Sequence, residues 1–312
     1  MALCNIGKII KDEVKLCYIA DEYLLNSLAQ IQHHRQEDGF ILFRTTSEFF
    51  KHCFTVHWGE FGNHSEPIAR MYFSHTGKLY ENEEEIQENY TFFRLENHML
   101  YKPKKDILSV LKIPSLFGMV LHHYTRLDLT IDMKSNIVRI INKLMKRTDI
   151  GTILNGKWED DHKKKLKALK EFRDRTLDKA INPELVIIQM NAIENKNNGI
   201  IVAAYNKLEE IRDKSTEASV YKQYILDYYG NPKKSLHRLE VRVNAANITK
   251  YCKEHGIPIT EELLFDEAVL TDMYYTFLSR VLRFTTVRTS KSGNRTLRDP
   301  IEWKDILCNK KL

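Results

Sequence analysis

In YTRLDLTIDM, residues 124–133, every second side chain from Leu127 onward is apolar. Side chains alternate across a β-strand. Leu127, Leu129 and Ile131 therefore share one face, and Arg126, Asp128, Thr130 and Asp132 share the other. Two later stretches repeat the pattern. LHRLEVRV, residues 236–243, sets Arg238, Glu240 and Arg242 against Leu239, Val241 and Val243. IIVAAYNKLEE, residues 200–210, reads as a strand with Tyr205, Lys207 and Glu209 on one face and Val202, Ala204 and Leu208 on the other. A fourth, YTFFRLENH from residue 90, puts Arg94, Glu96 and His98 together. An antiparallel sheet with one wet face accounts for any one of these strands. It accounts less well for acids in mid-strand, because Asp competes for backbone hydrogen bonds and is depleted there.

Outward from these strands the chain alternates strand and helix patterns. Strands are predicted at 13–20, 67–74, 90–96, 124–133, 199–208 and 235–243. Helices are predicted at 22–31 behind Asp21, at 104–121 with Pro114 interrupting or restarting it, and after residue 133 through Ile137, Ile140, Ile141 and Leu144. Further helices are predicted at 157–180, 216–228, 245–255 and 261–284. The fold class is α+β, a central and mainly antiparallel sheet with flanking helices and a helical C-terminal part. Residues 1–258 read as one α+β domain with a charged insert at about 147–196, and 259–312 as a helical, basic extension.

The 312 residues suffice for a sizeable core. With 12 Gly and 7 Pro, collagen-like and linker-rich readings fall away. No window approaches 18 consecutive apolar residues. Lys8, Lys11 and Asp12 break up any signal-peptide core, so the expected location is cytoplasmic, without a membrane partner. The five cysteines are scattered and form no C-x-x-C pair, so reduced thiols are expected.

The formal net charge is +6 and unevenly placed. Arg280, Arg283, Arg288, Lys291, Arg295 and Arg298 occur with no acid among them, and the TSKSGNRT stretch reads as flexible enough to follow a phosphate backbone. In the helix expected at 157–180, acids and bases interleave as on a solvated face.

If the charged strands are neighbours, Asp128, Glu240 and Glu96 converge. Such carboxylates suit a hard cation, Mg²⁺ or Mn²⁺. A salt-bridged sheet face is the competing reading of the same residues. Tyr205 adds a covalent nucleophile, and Lys207 beside it a cation able to activate the phenol. Tyrosine, lysine, arginines, carboxylates and a metal together suit phosphoryl transfer on a nucleic-acid backbone.

The runs YTRLDLTID, AAYNKLEEIRD and LHRLEVRV, in this order, resemble the rolling-circle replication initiators of small plasmids, of the Rep_trans type. They are also similar to the gene II endonucleases of filamentous phages. The likeness extends back to FFRLENHMLYKPKKDIL and forward to ITKYCKEHGIP, roughly residues 90–258. It implies a metal-dependent, site-specific nickase acting on origin DNA that is single-stranded or cruciform at the nick. The tyrosine of the Y-x-K motif, here Tyr205, becomes linked to the 5′ phosphate and frees a 3′-OH. The R-x-D strand implies roles for Arg126 and Asp128, and the R-x-E strands for Arg238 with Glu240 and for Arg94 with Glu96. Asp132 matches the plasmid-type pattern only. Host helicase and polymerase, and a homodimer, are the partners the resemblance implies.

No His-hydrophobe-His tripeptide and no P-loop occur, so a helicase must come from elsewhere. Tyrosine recombinases carry their tyrosine near the C-terminus, unlike mid-chain Tyr205. A DNA-binding initiator or copy-control protein without cleavage, and an unrelated basic α+β protein, are the alternatives.

Overall fold

The computed structural model describes residues 9–20, 33–36, 39–45, 53–59, 68–74, 78–81, 84–87, 89–116, 118–159, 188–190, 199–212, 223–230, 232 and 235–308. The chain divides into two compact units. The first comprises residues 1–10, 128–243 and 267–312, and the second 11–127 and 244–266.

The second unit opens with strand β1 (Ile9–Ala20), which it holds from Lys11, and with β2 (His33–Gln36), β3 (Gly39–Thr45), β4 (Cys53–Gly59) and β5 (Ala69–Ser74). A small hairpin, β6 (Lys78–Glu81) and β7 (Glu84–Gln87), precedes β8 (Asn89–Leu95). Short helices α1 (Lys104–Leu111) and α2 (Ile113–Leu116) follow, and Pro114 sits in the first turn of α2, where its missing N–H costs nothing. Strand β9 (Val120–Met133) begins in this unit and leaves it after Leu127. The strand order here is β9-β1-β8-β5-β4-β3-β2. Val14, Leu16, Ala69, Met71, Phe93 and Leu95 form its buried face. The helix expected at 22–31 lies outside the described residues.

The first unit takes up β9 from Asp128. It continues through α3 (Ile137–Lys146), β10 (Ile150–Leu154), β11 (Lys157–Glu159), β12 (Ile188–Met190), β13 (Ile200–Asn206), α4 (Lys207–Arg212), α5 (Gln223–Tyr228) and β14 (His237–Asn244). Helix α6 (Ala245–Glu254) belongs to the second unit. The first unit resumes with α7 (Glu267–Val281), β15 (Leu282–Thr289), β16 (Arg295–Ile301) and α8 (Trp303–Leu307). Its main sheet runs β12-β13-β14-β9. Leu129, Ile131, Val202, Ala204, Leu239, Val241 and Val243 are all buried. Helix α3 starts where the Asn136 side chain accepts the Arg139 N–H, and it buries Ile137, Ile141 and Leu144 at helical spacing. The α+β class holds, and β13 pairs with β14, and β5 with β8, in antiparallel fashion.

Several expectations change. Residues 157–159 are strand, not the start of a helix, and 160–180 lie outside the described residues. The helix expected to run to 284 ends at Val281, and the C-terminal part is not helical throughout but continues as the hairpin β15–β16. That hairpin joins β10 and β11 in a second sheet of order β11-β10-β15-β16, so the compact unit containing 267–312 also contains much of the stretch read as an insert. Trp303 anchors the junction. Its indole N–H donates to the Leu282 carbonyl at 3.0 Å, and its ring meets Phe284 at 5.7 Å. Cys252 is a free, buried thiol, whereas Cys308 is disulfide-bonded, against the expectation of five reduced thiols. Among the described residues no helix is long and apolar enough to cross a membrane.

The second sheet depends on a missing side chain. A Cβ on Gly151 would lie 2.5 Å from Leu297 Cδ2, 3.0 Å from Thr285 Oγ1 and 3.1 Å from Val287 Cγ2. Gly151→Val should lower the unfolding free energy by about 1–3 kcal/mol through overpacking, and Gly151→Ala by less. Urea unfolding midpoints check the ranking.

Candidate active site

The charged strand faces come together in the first unit. Strands β13 and β14 pair so that Tyr205 stands opposite Arg238, and Ala203 opposite Glu240. The Tyr205 hydroxyl reaches diagonally and donates to Glu240 Oε2 at 3.0 Å. Glu240 Oε1 accepts from Arg242 Nη2 at 3.2 Å, and Arg242 Nε donates to Asp128 Oδ2 at 3.1 Å. A continuous chain thus links the phenol to two carboxylates through one guanidinium. Asp128 and Glu240 are buried, while the Arg242 side chain keeps 36% exposure and forms the outer edge of the chain. Tyr205 itself is 9% exposed.

Beside it lies a second, deeper pair. Arg238 donates from Nε to Asp132 Oδ1 at 2.7 Å and from Nη2 to Oδ2 at 2.6 Å. Both side chains are sealed from solvent. Such a two-pronged charge-assisted contact is among the stronger hydrogen-bonding arrangements. Tyr229, in the turn after α5, adds a third donor to Asp132 Oδ2 at 2.7 Å. Asp132, expected as a metal ligand, has both oxygens engaged, and Arg238, expected as a catalytic cation, is tied to it.

Lys207 does not continue the strand. Asn206 ends β13 and caps α4, its Oδ1 accepting from the N–H groups of Leu208 at 3.2 Å and Glu209 at 3.4 Å. Asn206 followed at the third position by Glu209 is the capping signal in the sequence that marks this switch. Lys207 is nonetheless buried near the phenol, its Nζ 5.7 Å from the Tyr205 ring centroid and 2.8 Å from Glu210 Oε2. Arg242, Tyr229 and Glu210 were not among the expected site residues. Arg242 was visible on the charged face of its strand, but nothing local marks the other two.

Among tyrosines of this unit, Tyr274 is a contrast to Tyr205. Burial, followed by repulsion from Tyr275, Asp132 and Glu240, pushes its phenol well above the usual range, and its hydroxyl is spent on the Leu239 carbonyl at 3.0 Å.

The remaining expected residues lie elsewhere. Glu96 follows β8 in the second unit, where Arg70 Nε donates to its Oε1. Within that unit β1 separates β8 from β9, so the strand bearing Arg94 is not a neighbour of β9. Arg126 sits half-buried on the part of β9 that belongs to the second unit. Among the described residues no three His, Cys, Asp or Glu side chains gather as a metal site.

Asp128 and Glu240 are oxygen donors on rigid strands, the donor chemistry of a hard cation, and a cation there would have to displace the Tyr205 or Arg242 contact from Glu240.

The six C-terminal cations spread over a helix and a hairpin rather than a flexible tail. Arg280 lies in the last turn of α7, Arg283 and Arg288 lie on β15, Lys291 in the turn, and Arg295 and Arg298 on β16. The turn is structured, with Ser290 N–H bonded to the Asn294 carbonyl at 2.8 Å and Gly293 at φ +82°. Arg283, Arg288 and Arg298 are exposed. Arg295 is held inward by the Thr148 carbonyl and stacks at 6.0 Å over Trp158. Arg280 and Arg283 also line an open groove of about 600 Å³ with Asn155, Thr276 and Ser279.

The two ion pairs should respond differently to loss of charge. Asp132→Asn strands a fully buried Arg238 and should cost about 3–5 kcal/mol of stability. Asp128→Asn leaves Arg242 with Glu240 and a solvent route, and should cost about 1 kcal/mol or less. Chemical unfolding of both variants measures the difference.

No protein-family model matches the sequence, and no curated protein matches it. Among solved structures, the rolling circle replication initiator protein from Geobacillus stearothermophilus aligns over 97% of this chain and 96% of its own, with a TM-score of 0.44 and 10% identity.

Proposed function

We propose that this chain initiates rolling-circle replication by nicking one strand of origin DNA through Tyr205. The observation that carries the reading is the Tyr205 hydroxyl donating to Glu240 within a buried, charged sheet face. Glu240 takes the phenolic proton as Tyr205 Oη attacks the scissile phosphorus. The new Oη–P bond forms as the P–O3′ bond breaks. The 3′ oxygen takes a proton from solvent and becomes the free 3′-OH, while the 5′ phosphate stays on Tyr205. Arg242, on the open edge, meets the phosphate, and buried Lys207, held by Glu210, places a positive charge beside the phenol ring. Arg238 acts from within, by fixing the strand opposite Tyr205.

Asp128 and Glu240 would hold Mg²⁺ or Mn²⁺, which would polarise the phosphate. Arg280, Arg283, Arg288, Lys291, Arg295 and Arg298 form the DNA-contacting segment, with the exposed Arg283, Arg288 and Arg298 foremost. Host helicase and polymerase, a homodimer and a cytoplasmic location belong to the same reading. A DNA-binding initiator or copy-control protein that does not cleave is the second reading, and the 9% exposure of Tyr205 favours it.

A single-stranded origin oligonucleotide with Mn²⁺ separates the two. The parent protein should form a covalent adduct that Tyr205→Phe cannot form, while Tyr251→Phe forms it normally. An adduct on Tyr205→Phe would remove Tyr205 from the reaction, and no adduct with the parent would favour the binding protein. Glu240→Gln should slow nicking by about a hundredfold or more, as expected for loss of a general base. Nicking undiminished in excess EDTA would rule out the cation.

Arg283, Arg288 and Arg298 replaced together by Ala should lower the salt slope of duplex binding by roughly two to three units. An unchanged slope would make the hairpin a solvated surface.

A further inference from the structure

Three cations stand in one row across the sheet of the second unit. Lys15 on β1 faces Arg94 on β8, and Arg94 faces Arg70 on β5. Directly opposed residues share a face. Their neighbours Val14, Leu16, Ala69, Met71, Phe93 and Leu95 are buried on the other one. Lys15, Arg94 and Arg70 are half-buried, so the row lies on the wetter face. The register continues through Thr55 on β4 to Arg44 on β3.

Neighbouring strands are only about 4.8 Å apart, so the three cationic side chains stand side by side on one face. Glu96 answers Arg70, which holds that guanidinium in place.

We propose that the Lys15–Arg94–Arg70 row is a track for the phosphodiester backbone of a nucleic-acid strand. It rests on DNA being the ligand, as in the function proposed above. Regularly spaced cations on rigid strands match a linear polyanion. Arginines matter here because the planar guanidinium grips phosphate with two donors. A lipid surface, by contrast, is met by basic residues interleaved with exposed apolar ones.

The test uses the full chain, with a fluorescein-labelled single-stranded oligonucleotide, its duplex and phosphatidylserine vesicles as probes. The Lys15→Gln/Arg94→Gln double variant should bind the single strand with a salt slope lower by about one to one and a half units. The DNA-free variant should unfold at the temperature of the parent. A parental slope in the variant overturns the track and leaves the Tyr205 reading standing. A lower unfolding temperature with an unchanged slope also overturns it, making the row structural. Loss of vesicle binding with DNA binding intact overturns it in favour of a membrane surface. A parent that binds neither strand overturns both readings.

Discussion

The Arg238–Asp132 pair constrains everything around it. A guanidinium and a carboxylate with no access to water are tolerable only when they hold each other closely. That requirement selects one register between the strands carrying them. With Arg238 on Asp132, Arg242 falls four residues along and reaches Asp128 four residues back, as antiparallel strands demand. A slip by one residue would turn Leu239 and Val241 to the charged side and bury the arginines among leucines. The deep pair thereby determines where the outer chain Tyr205–Glu240–Arg242–Asp128 can form.

The two layers of charge differ in kind. The inner pair is closed by Tyr229 and sealed, so it contributes specificity of register rather than chemistry. The outer chain ends at a half-exposed arginine, and its central carboxylate is shared between a phenol and a guanidinium. Such sharing gives Glu240 an acceptor role toward Tyr205 and still leaves it beside Asp128. The end of β13 at Asn206 then brings Lys207 round onto a helix, where it approaches the Tyr205 ring from a different backbone element.

Much of this was legible in the chain. Alternation in residues 124–133 and 236–243 placed the correct residues on the charged face, because a period of two has a single reading once one face is apolar. Local patterns could not distinguish a metal-bound carboxylate from an arginine-bound one. Asp128 and Asp132 look alike on their strand, yet one faces a partly open arginine and the other a buried one. Glu96 looked equivalent to Glu240 because both follow an arginine by two residues. Strand order in the second unit puts β1 between β8 and β9, so the strand leading to Glu96 is not a neighbour of β9. The C-terminal hairpin was missed because its apolar residues continue the helical spacing of the preceding segment as far as Leu282.

The sequence by itself determined the α+β class, the faces of the charged strands and the pairing of tyrosine with acids and bases, because side-chain alternation and composition are local properties. Only the tertiary structure decided which carboxylate meets which cation, that Lys207 begins a helix, that the basic segment is a hairpin, and that Arg94 stands in a row with Lys15 and Arg70. Those outcomes depend on strand order and register, which arise from long-range pairing, and no window of sequence contains both partners.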